Sequence, residues 1–129
     1  MATLSDVMRA EVIEVAPEDT LGEVAERMSG ANVGAVIVKD FGRLIGILTE
    51  RDMLKAMAAR VHTSEARVRQ WMTEDPITVP TQTDLEEAAR IMLENGFRHL
   101  PVVDELGQVI GIASLRRVVG ATQTAVNQS

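Results

Sequence analysis

The chain states one pattern twice. Met8 to Ile47 and Met72 to Ile112 align at a shift of 64 residues, which widens to 65 after one extra residue near Leu106. The shift pairs Met8 with Met72, Val15 with Val79, Leu21 with Leu85, Ala25 with Ala89, Met28 with Met92 and Asp40 with Asp104. Beyond the extra residue, Gly42 pairs with Gly107 and Ile45-Gly46-Ile47 with Ile110-Gly111-Ile112. Solenoid repeats run about 20–50 residues and need three or more copies. Two copies of this length point instead to two small units packed about a pseudo-twofold, with matching clefts between them. Where the copies differ indicates which cleft keeps its chemistry.

Each copy alone would make a marginal domain, so the two are expected to fold as one unit sharing a core. Apolar residues make up 46% of the 129-residue chain and aromatics only 2%, which leaves Val, Ile, Leu, Ala and Met to build that core. No apolar run is long enough to span a bilayer, and the N-terminus lacks the basic, apolar, small-residue order of a signal peptide. A soluble cytoplasmic protein without membrane contact is expected. The chain has no cysteine, which excludes disulfides, thiolate metal sites and cysteine nucleophiles. A net charge of −6 argues against broad nucleic-acid binding, which depends on neutralising phosphates.

Each copy reads strand, helix, strand, strand, helix. In the first, Val12 to Val15 is a strand closed by Pro17. Asp19 or Thr20 can then cap a helix, with Glu23 three residues after Thr20 in capping-box position. Leu21, Val24, Ala25 and Met28 fall at i, i+3, i+4 and i+7, giving one buried face, and Gly30 is expected to end the helix. Ala35 to Val38 and Leu44 to Leu48 are paired strands about a turn at Asp40 to Gly42. Thr49 caps a helix to about Ala59, with Met53, Leu54 and Met57 turned inward. In the second copy, Ile77 to Val79 is the strand and Asp84 to Asn95 the helix. Leu100 to Val103 and Val109 to Ala113 form the hairpin, and Ser114 caps a last helix that fades near Gly120. The expected organisation is a first repeat over 1–62, a connector over 63–71 that overlaps the charged stretch Arg60 to Gln70, a second repeat over 72–122 and a flexible tail over 123–129.

These residues resemble a known module, the tandem cystathionine-β-synthase (CBS) domain pair or Bateman module, over roughly residues 5 to 120. In the first copy the resemblance rests on Gly34-Ala35-Val36-Ile37-Val38 and Gly46-Ile47-Leu48-Thr49-Glu50-Arg51-Asp52. In the second it rests on Met72-Thr73, Arg98-His99-Leu100-Pro101-Val102-Val103-Asp104 and Gly111-Ile112-Ala113-Ser114. Each string is weak alone; their order, doubled at constant spacing, is specific. The resemblance implies a mixed α/β (α+β) fold of two pseudo-symmetric β-α-β-β-α repeats packed sheet to sheet as one module. It also implies adenosine compounds as ligands in the inter-repeat clefts, and regulation in place of catalysis.

The segment Gly46 to Asp52 joins a strand to a helix whose first N–H groups point outward, a terminus suited to a phosphate or a polar sugar. Thr49 and Asp52 also serve, with no ligand at all, as a cap and an acid complementing the helix dipole. The resemblance gives Asp52 the ribose cis-diol and draws the remaining contacts from the second copy. Thr73 lies before its first strand, Ile77 borders the adenine, and Phe97, Arg98, His99 and Pro101 line the start of its second strand. Arg98 and Arg51 are the phosphate candidates, and His99 adds a donor that becomes cationic below about pH 6.5. Ile47, on the strand leading to Thr49, completes the expected set. Taken singly, His99 reads equally well as a hydrogen-bonded strand residue and Arg98 as a solvated cation.

The symmetry-related cleft departs from the pattern. Arg117 stands at the acidic position of Ser114-Leu115-Arg116-Arg117, and Gly34 and Ala35 stand where Arg98 and His99 do in the other copy. At most one nucleotide per chain is therefore expected. No glycine-rich phosphate loop, metal-ligand spacing of His62 and His99, or ordered catalytic triad is present. Trp71 and the methionines read as interface and core. The expected function is a non-enzymatic sensor that needs no cofactor and binds AMP, ADP or ATP as a regulatory ligand. It would signal to an unidentified partner protein through a homodimer surface that includes Met53-Leu54-Met57 and Val118-Val119. The alternative is a dimerisation or protein-interaction scaffold with vestigial clefts.

Overall fold

The computed structural model describes residues 2–128. In chain order the elements are α1 (Leu4–Val7), β1 (Glu14–Val15), α2 (Leu21–Ala31), β2 (Ala35–Asp40), β3 (Arg43–Thr49), α3 (Glu50–Ala58) and α4 (Val68–Trp71). They continue as β4 (Thr73–Glu74), β5 (Val79–Pro80), α5 (Leu85–Asn95), β6 (His99–Val103), β7 (Val109–Ser114) and α6 (Leu115–Gln128). The class is the mixed α/β arrangement that the doubled pattern implies. Two compact units form, one of Ile13–Pro76 and one joining the residues up to Val12 with those from Ile77 onward.

In the unit Ile13–Pro76 the sheet order is β1-β2-β3-β4. β1 and β2 run parallel, so the chain must cross between them, and α2 is that crossover. β2 and β3 form an antiparallel hairpin, and the short β4 pairs antiparallel along the outer edge of β3. Leu21, Val24 and Met28 of α2, Ala56 of α3 and Val68 of α4 bury against Val36, Val38 and Leu48 of the sheet. Aliphatic side chains of this size contribute about 1.5–3 kcal/mol each when fully buried, which lets a core almost without aromatics hold.

Its counterpart repeats the plan with the sheet β5-β6-β7 and a core of Leu4, Leu85, Ala88, Met92, Leu100, Val102, Ala113 and Val118. The extra residue of the second copy lies in the turn between β6 and β7. There the Asp104 carboxylate accepts from the backbone N–H of Leu106 and of Gln108, each at 2.9 Å.

The heads of the two copies are exchanged between the units. Leu4 N–H donates to the Thr83 carbonyl (3.0 Å) and Ser5 N–H to that of Thr81 (3.2 Å), so α1 docks at the start of α5. Sixty-four residues on, Val68 N–H donates to the Asp19 carbonyl and Arg69 N–H to that of Pro17, both at 2.9 Å, docking α4 at the start of α2. The charged stretch 60–70 therefore folds onto the first unit, where Leu21 N–H also meets the Ala66 carbonyl at 3.0 Å.

The repeated Ile-Gly-Ile is explained by what lies over each glycine. A Cβ at Gly46 would stand 2.6 Å from Met72 Sδ and 3.0 Å from the Thr73 carbonyl oxygen. At Gly111 it would stand 2.6 Å from Met8 Sδ and 3.1 Å from the Arg9 carbonyl oxygen. Each methionine follows its docked head helix and lies against the bare backbone of the last strand in that unit's hairpin.

Several local expectations need correction. Gly30 does not end α2; the helix runs to Ala31 and closes on Asn32, which takes the left-handed conformation (φ 54°) that asparagine tolerates. Ala25 is exposed, because the buried stripe of α2 narrows to Leu21, Val24 and Met28. On α3 the inward positions are Asp52 and Ala56 with Met53 half-buried, whereas Leu54 and Met57 are 66% and 68% exposed. Val118 belongs to the core, leaving Val119 on the surface. Past Gly120 the backbone of α6 stays helical to Gln128, Thr122 Oγ1 bonding the Val118 carbonyl at 2.9 Å; Ser129 lies outside the described residues. No helix among the described residues is long and apolar enough to cross a membrane.

Candidate functional site

The end of β3 passes directly into α3, and Thr49 is the hinge residue. Its extended backbone (φ −121°, ψ 169°) leaves the first helical N–H groups without intrahelical partners, as at every helix start. Asp52 N–H donates to Thr49 Oγ1 at 3.4 Å, while Thr49 N–H and Thr49 Oγ1 donate to Asp52 Oδ2 at 2.9 and 3.1 Å. This is a reciprocal capping box, with aspartate in the place more often held by glutamate.

Asp52 is 8% exposed and is the buried ionisable side chain among the described residues. Both bonds of the box fall on Oδ2. No fully buried side-chain oxygen among the described residues lacks a partner, so Oδ1 is reached by solvent and free to accept from a donor outside the box. A carboxylate held rigid by one oxygen and open at the other suits a hydroxyl pair.

Three further expected residues lie in the same unit. Ile47 is buried in β3, opposite Ile37 on one side and Thr73 on the other. Thr73 is exposed on β4, so the pairing of β3 with β4 sets a residue of the second sequence copy beside the Gly46–Asp52 segment. Arg51 is exposed on the first turn of α3. Glu50 N–H closes onto the Gly34 carbonyl at 3.0 Å, a contact that a main-chain oxygen makes without any sequence signature.

The remaining expected residues belong to the other unit. Ile77 is exposed in the segment before β5. Phe97 packs half-buried on its unit's core, its N–H bonded to the Met92 carbonyl at 2.9 Å. Arg98 is exposed, His99 half-buried and Pro101 buried. Within this unit they adjoin the start of α6: the Arg98 carbonyl accepts from Leu115 N–H at 2.8 Å, and His99 is the strand partner of Ser114.

The start of α6 keeps only half of the box. Arg117 N–H donates to Ser114 Oγ at 3.3 Å, but a guanidinium has no acceptor to return. Arg116 and Arg117 are both exposed. An acceptor for a diol is thus present at one helix start and missing from the other, in line with the departure seen in the sequence. Among the described residues no group of three or more His, Asp or Glu side chains is placed to hold a metal ion.

Comparison with known proteins matches this chain twice to the CBS-domain model, over residues 4–59 and 68–123. It is 39% identical over 123 residues to an uncharacterised 17.7 kDa protein of Acidianus ambivalens, covering 94% of this chain and 74% of that one. An uncharacterised protein of Methanopyrus kandleri is 34% identical over 119 residues, covering 91% of this chain and 61% of its own length. Among solved structures, the complex of the Arabidopsis thaliana CBS-pair protein CBSX2 with AMP superposes with a TM-score of 0.75 at 30% identity, covering 97% of this chain and 98% of that one.

Proposed function

The chain belongs to the CBS-domain family, and on that premise we propose that it is a cytoplasmic regulatory module that binds one adenosine nucleotide (AMP, ADP or ATP) and catalyses no reaction. The observation that carries this reading is the Asp52 carboxylate, pinned through Oδ2 by Thr49 and open at Oδ1 at the start of α3. Asp52 takes the ribose hydroxyls and Thr49 the adjoining polar edge. Ile47 and Thr73 border the nucleoside from the paired edge of the same unit. The family resemblance adds Ile77, Phe97, His99 and Pro101 as candidate nucleoside contacts, and Arg98 and Arg51 as candidate phosphate contacts. The AMP complex of a relative supports the ligand class. Binding shifts the population of conformations at a homodimer surface, and a partner protein reads that shift.

Calorimetric titration with AMP, ADP, ATP and S-adenosylmethionine tests this directly, beside Asp52→Asn. Saturable binding near one site per chain is expected. Charge-assisted hydrogen bonds are worth about 1.5–3 kcal/mol, so the variant should bind roughly tenfold to a hundredfold more weakly. The scaffold reading has one observation in its favour: a capping box by itself accounts for the whole local geometry of Thr49 and Asp52. No heat with any of the four ligands would establish it.

A further inference from the structure

The chain has seven methionines and no cysteine, so its reversible oxygen chemistry rests on thioethers alone. They occupy three settings, Met1 lying outside the described residues. Met28 and Met92 are buried inside the two cores, and Met57 stands 68% exposed on α3. Met8, Met53 and Met72 are half-buried against the cores. Met8 and Met72 are the repeat-related pair, and each sulfur lies on backbone that has no side chain to cover it. The place of a Cβ at Gly111 is 2.6 Å from Met8 Sδ, and that at Gly46 is 2.6 Å from Met72 Sδ. The groups around both sulfurs are already engaged. Met8 and Met72 N–H donate to the Leu4 and Val68 carbonyls at 2.8 and 2.9 Å, and both glycines sit inside ladder pairs. One residue on, Arg9 exchanges two backbone bonds with Ile112, at 2.9 and 3.0 Å, while Thr73 pairs with Ile47.

We infer that Met8 and Met72 are oxidation sites, and that their sulfoxides release the edge segments that follow them from the two hairpins. A peroxide is the oxidant. Its O–O bond breaks as one oxygen bonds to sulfur, the sulfur gives up two electrons, and the other oxygen leaves as water. The product is larger and polar where the thioether was compact and apolar. Glycine backbone packed this closely has no room for the added oxygen, and the aliphatic core behind has no donor for it. The segment therefore lifts: Met72 takes β4 from the edge of β3, and Met8 takes Arg9 from Ile112. The same contact occurs once in each unit, so one oxidant acts on both. Met57, turned to solvent, takes up oxygen without structural consequence. The inference stands apart from nucleotide binding and is read without any ligand.

Graded treatment with hydrogen peroxide tests this, with peptide mapping by mass spectrometry beside thermal unfolding. The chain carries Met53→Leu, since Met53 shares the half-buried setting. Met57 should convert first, Met8 and Met72 next, and Met28 and Met92 last. The thermal midpoint should hold while Met57 converts, then fall on the order of 5 °C as Met8 and Met72 do. Methionine sulfoxide reductases should restore it. Met8 and Met72 unmodified until the chain unfolds, or converted at an unchanged midpoint, overturns the inference. So does a fall that persists once both sulfoxides are reduced. Adding Met8→Leu and Met72→Leu should abolish the fall, and a fall in that folded variant overturns the assignment. A second measurement needs no variant. Partly oxidised wild-type chain is exposed briefly to protease at its urea midpoint, and the folded survivors are mapped. Sulfoxide at positions 8 and 72 should be depleted roughly fivefold among them, and sulfoxide at position 57 unchanged. Equal representation of all three overturns the inference.

Discussion

Asp52 and Thr49 cap the same helix start that presents the candidate ligand acceptor, Thr49 N–H donating to Asp52 Oδ2 at 2.9 Å. Stability and binding therefore share two side chains and can be pulled apart by choice of substitution. Thr49→Ala removes the cap oxygen and should cost about 0.5–2 kcal/mol, read as a lower urea midpoint at unchanged m-value. Asp52→Asn keeps an acceptor for the box and should lose binding with a smaller loss of stability. Nucleotide binding retained at full strength in Asp52→Asn would count against a ligand role for Asp52.

Gly46→Ala and Gly111→Ala each place a methyl group against a methionine sulfur and a carbonyl oxygen. Overpacking of this kind costs about 1–3 kcal/mol. Shortening the overlying side chain, in Gly46→Ala with Met72→Ala, should recover only part of the loss relative to Met72→Ala alone. The Thr73 carbonyl, 3.0 Å from the new methyl, cannot withdraw without unpairing β4. Full recovery would show that the strand gives way.

Phe41 is 98% exposed at the tip of the β2–β3 hairpin, with φ 51° followed by Gly42 at φ 77°. A two-residue turn with both residues left-handed favours Asn-Gly, and a bulky side chain there is strained. Phe41→Asn should raise stability by about 1 kcal/mol, measured as a higher thermal midpoint. An unchanged or lower midpoint would mean that the phenyl ring has a stabilising contact of its own.

The Thr20 hydroxyl and backbone N–H hold the Glu23 carboxyl below its ordinary value of 4.5. A carboxylate depressed in the folded state stabilises above its unfolded pKa, and that contribution disappears as pH falls through the lowered one. Glu23→Gln should accordingly lower stability near neutrality and make no difference in acid below the folded-state value. NMR titration of the Glu23 side chain should report a midpoint under 4.5; a midpoint at or above that value would exclude the linkage.

Much of the fold was legible because it obeys short-range rules. Thr20 and Glu23 sit three apart before an apolar stripe, and the structure forms that box. The two hairpins follow from alternating apolar runs around Asp40–Gly42 and Asp104–Gly107. Gly30 is the stronger formal stop signal for α2, yet asparagine at position 32 adopts the closing conformation with its N–H on the Met28 and Ser29 carbonyls. Leu54 and Met57 face solvent; an apolar side chain on a helix does not say whether its neighbour is the core. α1 and α4 are four residues each, too short for periodicity, and are fixed by main-chain bonds to Pro17, Asp19, Thr81 and Thr83 that no side chain announces. At the site, the three-residue spacing of Thr49 and Asp52 was readable. The pairing of Thr73 with Ile47 was not, since it depends on which sheet the second copy's head joins.

That exchange of heads has a consequence for descent. The structural period starts at Ile13, while the sequence period starts with the head helix, so the two are out of phase. A single ancestral copy would have carried a head whose docking ground, the start of the crossover helix, lay on a different molecule. Such a copy completes itself only by trading heads with a twin. Gene duplication and fusion would then have turned an intermolecular swap into an internal one, removing its dependence on concentration and freeing one of two identical helix starts to lose its carboxylate.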